Sequence, residues 1–202
     1  MEKDTFKTIL KPCEGILYKD KKSKFFGYIF PLQKESEVRP IIEVLKKKHH
    51  TANHACYAWQ LGTEKITYRA NDDGEPNNSA GMPIYGQIQA YNITNILVVV
   101  VRIFGGTKLG VGGLIQAYKT TAQLTIESSS IVEKLIEDSY KVEFRYPEMD
   151  KIMRIIKQFA IKIVSQKLES SCELILTIRK SKSDAVYKQI KKIHQVSIQK
   201  LD

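Results

Sequence analysis

Cysteine is scarce in this chain: Cys13, Cys56 and Cys172 are the only three, an odd number at wide spacing. That excludes a disulfide framework and a Cys-x-x-Cys metal knuckle, and it fits a reducing cytoplasm. Long apolar runs are missing too. The longest, Ile96 to Val101, is far too short to cross a bilayer. The charged start Met1-Glu2-Lys3-Asp4 has no apolar stretch behind it, so no secretory signal and no membrane association are expected. Acidic residues are outnumbered, 22 against 32 Lys and Arg, which leaves a formal net charge of +10. Such a surplus favours RNA, DNA, phosphorylated ligands or acidic protein faces, and it also serves plain solubility. Hydrophobic residues make up 43% of 202, too many for a disordered chain and enough for one large or two small cores.

The patterning predicts an α+β protein. Lys24 to Phe30 is aromatic and β-branched and reads as a strand stopped by Pro31. Val38, Ile41, Ile42 and Leu45 recur at helical spacing after Ser36, and Lys46, Lys47 and Lys48 fall where a helix dipole favours cations. His54 to Leu61 and Ile66 to Arg69 form a strand pair across Gly62-Thr63-Glu64. A polar loop, Asn71 to Ser79, leads to a short helix, Pro83 to Tyr91. Ile96 to Phe104 is apolar on both faces, as a buried central strand requires. Leu114 to Ser128 returns to helical period. Ser128-Ser129-Ser130 is the natural linker, which divides the chain into domains of residues 1–130 and 134–202. The second domain reads strand, helix, strand, strand, helix, strand, the ferredoxin-like βαββαβ order, with Pro147 and Ser183 at expected helix starts. It carries 15 Lys and Arg against 9 Asp and Glu, a denser positive charge than the first.

Three segments of the first domain carry chemistry. In Asn53-His54-Ala55-Cys56-Tyr57-Ala58-Trp59, His54 and Cys56 project to one strand face. They would be a base and a nucleophile, or metal ligands, or Cys56 packs simply as a small hydrophobe. In the second segment, Asp72, Asp73 and Glu75 lie within four residues beside Gly74 and Pro76, followed by Ser79-Ala80-Gly81. That acidic loop would hold a divalent metal such as Mg²⁺, cap a helix, or be an Asx-stabilised turn. The third has five glycines in nine positions, Gly105, Gly106, Gly110, Gly112 and Gly113, between a strand and a helix. Glycines let a ligand approach the backbone, and first-turn amides attract anions, with Arg102 and Lys108 adding full charges. The loop is not a Walker A motif, because no Gly-Lys-Ser/Thr opens the helix.

Together, His54-Ala55-Cys56-Tyr57-Ala58, Asp73-Gly74-Glu75-Pro76 with Ala80-Gly81-Met82-Pro83, Val99 to Gly106, and Leu109 to Leu114 resemble the YigZ/IMPACT family over roughly residues 20–130. The resemblance implies a left-handed βαβ first domain, like domain four of elongation factor G, a ribosomal small-subunit protein and the GHMP kinases. It also implies a ferredoxin-like second domain and brings no settled enzymatic activity. Eukaryotic relatives regulate translation with an extra N-terminal domain for which this chain has no room, so that role is not carried over. One departure is Asn78-Ser79 where the family has Gly-Thr. If φ is positive there, Asn is the best-tolerated substitute.

Three readings follow. The first is an RNA- or ribosome-binding regulator of translation, using Arg102 and Lys108 together with Arg179, Lys180, Lys182, Lys191 and Lys192 of the second domain. Those last five would otherwise be a solvated face. The second is an enzyme with His54 as general base, a metal on Asp72, Asp73 and Glu75, and an anion at the glycine loop. The third is a protein-interaction regulator whose cleft takes an acidic peptide. No pattern sets an oligomeric state.

Overall fold

The structure, a computed structural model, describes residues 4–169 and 171–201. The chain divides into two compact units: Phe6–Lys134, and residues 4–5 with 135–201.

The first unit begins with β1 (Thr5–Ile9), β2 (Cys13–Asp20), β3 (Ser23–Pro31), α1 (Val38–Lys48), β4 (His54–Leu61) and β5 (Thr67–Asn71). It continues through α2 (Gly81–Ala90), β6 (Ile96–Ile103), α3 (Gly110–Glu127) and β7 (Ile131–Leu135). Five strands form one sheet in the order β2-β3-β6-β4-β5, with every neighbour antiparallel. Strands β3 and β4 therefore run parallel with β6 between them, and α1 is their crossover. A two-stranded sheet pairs β1 with β7.

The central strand explains its own sequence. Ile96, Val98 and Val100 point into the core under α2 and α3, while Leu97, Val99 and Val101 point into the core with Val38 and Leu45 of α1. A strand buried on both faces has no polar position until its end, where Arg102 arrives on the α3 side. Helix α3 lies close to β3 because Gly27 has no side chain. A Cβ there would sit 1.8 Å from Thr125 Oγ1.

Two of the three serines close α3. Ser128 N–H donates to Leu124 O (3.0 Å), and Ser129 donates to Ile126 O through its amide (3.0 Å) and its hydroxyl (2.6 Å), so the segment finishes α3. The division between units falls at the end of β7, between Lys134 and Leu135.

The second unit contains β8 (Glu137–Arg145), α4 (Met149–Phe159), β9 (Lys162–Leu168), β10 (Ser171–Arg179), α5 (Lys180–Lys191) and β11 (Ser197–Leu201). The sheet order β11-β8-β10-β9, antiparallel throughout, is the ferredoxin-like arrangement. Alternate residues Tyr140, Val142, Phe144 and Cys172, Leu174, Leu176, Ile178 meet Ile152, Ile156, Val186 and Ile190 of the helices. Pro147 stands in a 3-10 turn, Tyr146–Glu148, leading into α4. Ser183 is not a helix cap: α5 begins three residues earlier, and the buried Ser183 hydroxyl bonds Tyr140 Oη at 2.7 Å. The start of α5 is held by Asp4, whose carboxylate accepts the Ser181 amide (3.0 Å) and the Arg179 guanidinium.

Candidate functional site

The acidic loop leaves β5 and turns sharply, with Asp73, Gly74 and Asn78 all at positive φ (+41°, +88° and +60°). Asparagine at 78 thus occupies a left-handed position, which it tolerates better than most side chains. Each carboxylate takes a different set of donors. Asp72 accepts the backbone amides of Asn78 (2.9 Å), Ala80 (3.0 Å) and Gly81 (2.8 Å), capping α2 from upstream. Its work explains why α2 starts at Gly81, two residues before Pro83, with no side-chain cap of its own. Gly81 is packed against the end of β5, where a Cβ would lie 2.5 Å from Asn71 N. Ser79 and Ala80 beside it are fully buried, and the Ser79 hydroxyl bonds Pro76 O at 2.6 Å.

Asp73 ties the loop to β4 and α1. Its carboxylate accepts the Ala55 amide (2.7 Å) and pairs with Lys46 (2.8 Å). Its carbonyl lies 2.8 Å from His54 Nδ1. A carbonyl only accepts, so Nδ1 is the donor in this bond. Glu75 turns inward. Its Oε1 accepts Arg102 Nη1 (2.7 Å) and Tyr118 Oη (2.8 Å), and both partners of the ion pair are almost fully buried.

Asp72, Asp73 and Glu75 therefore diverge. Among the described residues, no three His, Cys, Asp or Glu side chains converge to hold a metal. Cys56 is fully buried. Its Sγ lies 2.9 Å from Asp72 O and 3.3 Å from Tyr118 Oη, and burial pushes the thiol well above its usual range, which disfavours the thiolate. The Tyr118 hydroxyl is pushed up by the same desolvation and stays a donor to Glu75.

The glycine-rich segment follows β6. Gly105 packs on the β2–β3 turn, where a Cβ would be 2.1 Å from Lys22 C, and its amide donates to Ser23 Oγ at 3.1 Å. Gly106 and Gly110 have φ of +85° and +72°. Helix α3 starts at Gly110 with Leu109 at its N-cap, which supplies no side-chain bond to the first-turn amides. Gly112 faces open space, and Gly113 sits where a Cβ would be 3.0 Å from Leu109 Cβ.

These pieces meet around a pocket of about 340 Å³, whose lining includes Glu75, Arg102, Phe104, Lys108, Gly110 and Val111. The Arg102 guanidinium lies between the rings of Phe25 (5.6 Å) and Phe104 (5.4 Å), and its Nε has no partner. His54 is Arg102's register partner on β4, but its ring faces Gly74 and Asp73, beside the pocket and not among its lining residues.

The lysine and arginine residues of the second unit are not equivalent. Arg179 pairs with Asp4, and Lys180 lies 3.5 Å from the Asp138 carboxylate. Lys182 reaches Phe159 O at 3.3 Å, and Lys191 lies 5.5 Å over the Tyr187 ring. Lys192 is exposed at the C-cap of α5. Sequence reasoning missed Tyr118 and Lys46. Tyr118 falls there within the helical stretch Leu114 to Ser128 with no role of its own, and Lys46 counts only as a helix-end cation.

A split βαβ unit carrying a buried Arg–Glu pair under a glycine-rich loop, together with a ferredoxin-like unit, defines a two-unit α+β protein. Residues 21–126 match the Impact N-terminal domain model. An IMPACT family member of Haemophilus influenzae is 30% identical over 183 residues, 87% of each chain. IMPACT family member YigZ of Escherichia coli is 28% identical over 152 residues, 74% of each. The chain belongs to the IMPACT family. A crystal structure of a protein described as hypothetical matches 99% of this chain and 98% of its own with a TM-score of 0.70 at 21% identity, a likeness of fold.

Proposed function

We propose that the protein binds RNA or the ribosome through phosphate groups and acts in translation as a regulator. The observation that carries this reading is the pocket at the start of α3. There Lys108 lies beside first-turn amides of α3 that the N-cap residue leaves uncapped, while Arg102 lines the same pocket with its charge met by Glu75. Helix N-termini attract anions. The net charge of +10 supplies the long-range attraction. The carboxylates of Asp72, Asp73 and Glu75 are each taken up by separate backbone and side-chain donors.

Binding through phosphates has a defined salt dependence. For single-stranded RNA with about 4–6 phosphates neutralised, the log–log slope of affinity against salt is expected at roughly −3 to −4. Replacing Lys191 and Lys192 with Gln should flatten that slope on all sequences alike, because phosphate contacts position without specifying. The check is fluorescence anisotropy across a salt series beside ribosome co-sedimentation. Affinity indifferent to salt, or no sedimentation with ribosomes at low salt, overturns the reading.

A further inference from the structure

We infer that the pocket before α3 receives one nucleotide of a single strand, its base beside Phe104 and its phosphate at Lys108 and the first-turn amides of α3. This rests on the RNA-binding reading and assigns it a seat.

The chemistry of the wall selects a base over a second anion. Glu75 lines the pocket with Arg102, so the deep wall presents an acceptor beside a donor and has little net charge. A carboxylate or phosphate placed there would meet Glu75. A neutral base edge has both donors and acceptors, as this wall does. Arg102 lines the pocket with its Nε unpartnered, and the ring of Phe104, 43% exposed, lies 5.4 Å from the guanidinium carbon. The remaining lining is largely apolar, and an exposed aromatic is the usual platform for an unstacked base.

The rim suits the phosphate. Helix α3 is 18 residues long, and Leu109 at its N-cap gives no side-chain bond. Nothing stands within 4 Å of where side chains at Gly110 and Gly112 would project, so a phosphate can approach the backbone there. Lys108 adds a full charge beside those amides. About 340 Å³ is the scale of one small ligand, not of a duplex.

The test is anisotropy with a single-stranded oligoadenylate octamer and a duplex of equal length at fixed low salt. The single strand should bind more tightly. Phe104→Ala should weaken it about tenfold or more by removing a stacking partner, with the salt slope unchanged. Phe104→Tyr should bind like the parent, and Lys108→Gln should reduce the slope by roughly 0.7. Adenosine 5′-monophosphate should shift the amide resonances of Gly110, Val111 and Gly112 in the parent protein, a readout that needs no variant to fold. Phe104→Ala within twofold of the parent, or unmoved amides, overturns the seat while leaving RNA binding intact. Absence of RNA binding by the parent overturns both. Displacement of the octamer by an acidic peptide that shifts the same amides assigns the pocket to protein recognition instead.

Discussion

Replacing Glu75 with Ala is expected to destabilise the first unit by about 3–5 kcal/mol, the range for removing one partner of a buried ion pair. Arg102 would keep its charge inside a wall of Phe25, Phe104 and Leu114 with no counter-ion, and Tyr118 Oη would lose its acceptor. Removing both charges together, Glu75→Leu with Arg102→Met, should recover most of the loss, since apolar side chains of similar size often replace a buried pair without penalty. Glu75→Gln should fall between, because its carbonyl oxygen still accepts from Tyr118 and Arg102. Urea unfolding followed by Trp59 fluorescence is the measurement. Trp59 is the chain's single tryptophan, 4% exposed on β4, so its signal belongs to the first unit. A cost for Glu75→Ala below about 1 kcal/mol, the value of an ordinary surface pair, would show that the pair is not as desolvated as its geometry indicates.

Asp72→Ala should cost about 3 kcal/mol and loosen the start of α2. The carboxylate takes three backbone amides, those of Asn78, Ala80 and Gly81, and each would lose a charge-assisted bond. Ala80 and Gly81 are buried, so water cannot replace the acceptor without the loop opening. Hydrogen exchange should report this as faster exchange at those amides and little change in β8 or β10. Asp72→Asn keeps one good acceptor and should recover part of the loss. Unchanged protection at Ala80 and Gly81 in Asp72→Ala would mean that another group caps α2.

The parts of the fold that were legible in the sequence are those whose pattern has one physical cause. Ile96 to Val101 is apolar throughout because β6 is covered on both faces, and β8 and β10 alternate because only one face is. Strand β2 escaped notice because it is an edge strand whose register shifts between Glu14 and Ile16, breaking its alternation at Gly15. Ser183 looked like a cap because serine usually is one, but the cap came from Asp4, far away in sequence. The site was legible as a neighbourhood and not as chemistry. Sequence brings Asp72, Asp73 and Glu75 together as one acidic cluster. The structure sends them to the start of α2, to Ala55 and Lys46, and to Arg102. Nothing local distinguishes a metal ligand from a helix cap, because both are carboxylates beside glycine. The positive φ at Asn78 agrees with the conditional reading drawn from the family's glycine at that position.

Each unit closes its own hydrophobic core, one around β3, β4 and β6 and the other around β8 and β10. Heat then has two cores to melt, and a compound seated at Arg102 touches only one of them. Occupancy adds RT ln(1 + [L]/Kd) to the stability of the core it contacts, whatever the chemical identity of the compound. Where the two cores melt in separate steps, the chain carries an internal reference. A ligand of the first unit moves the Trp59-reported step alone, while a crowding or salt effect moves both, so a mixed library can be sorted by site before any activity is assayed.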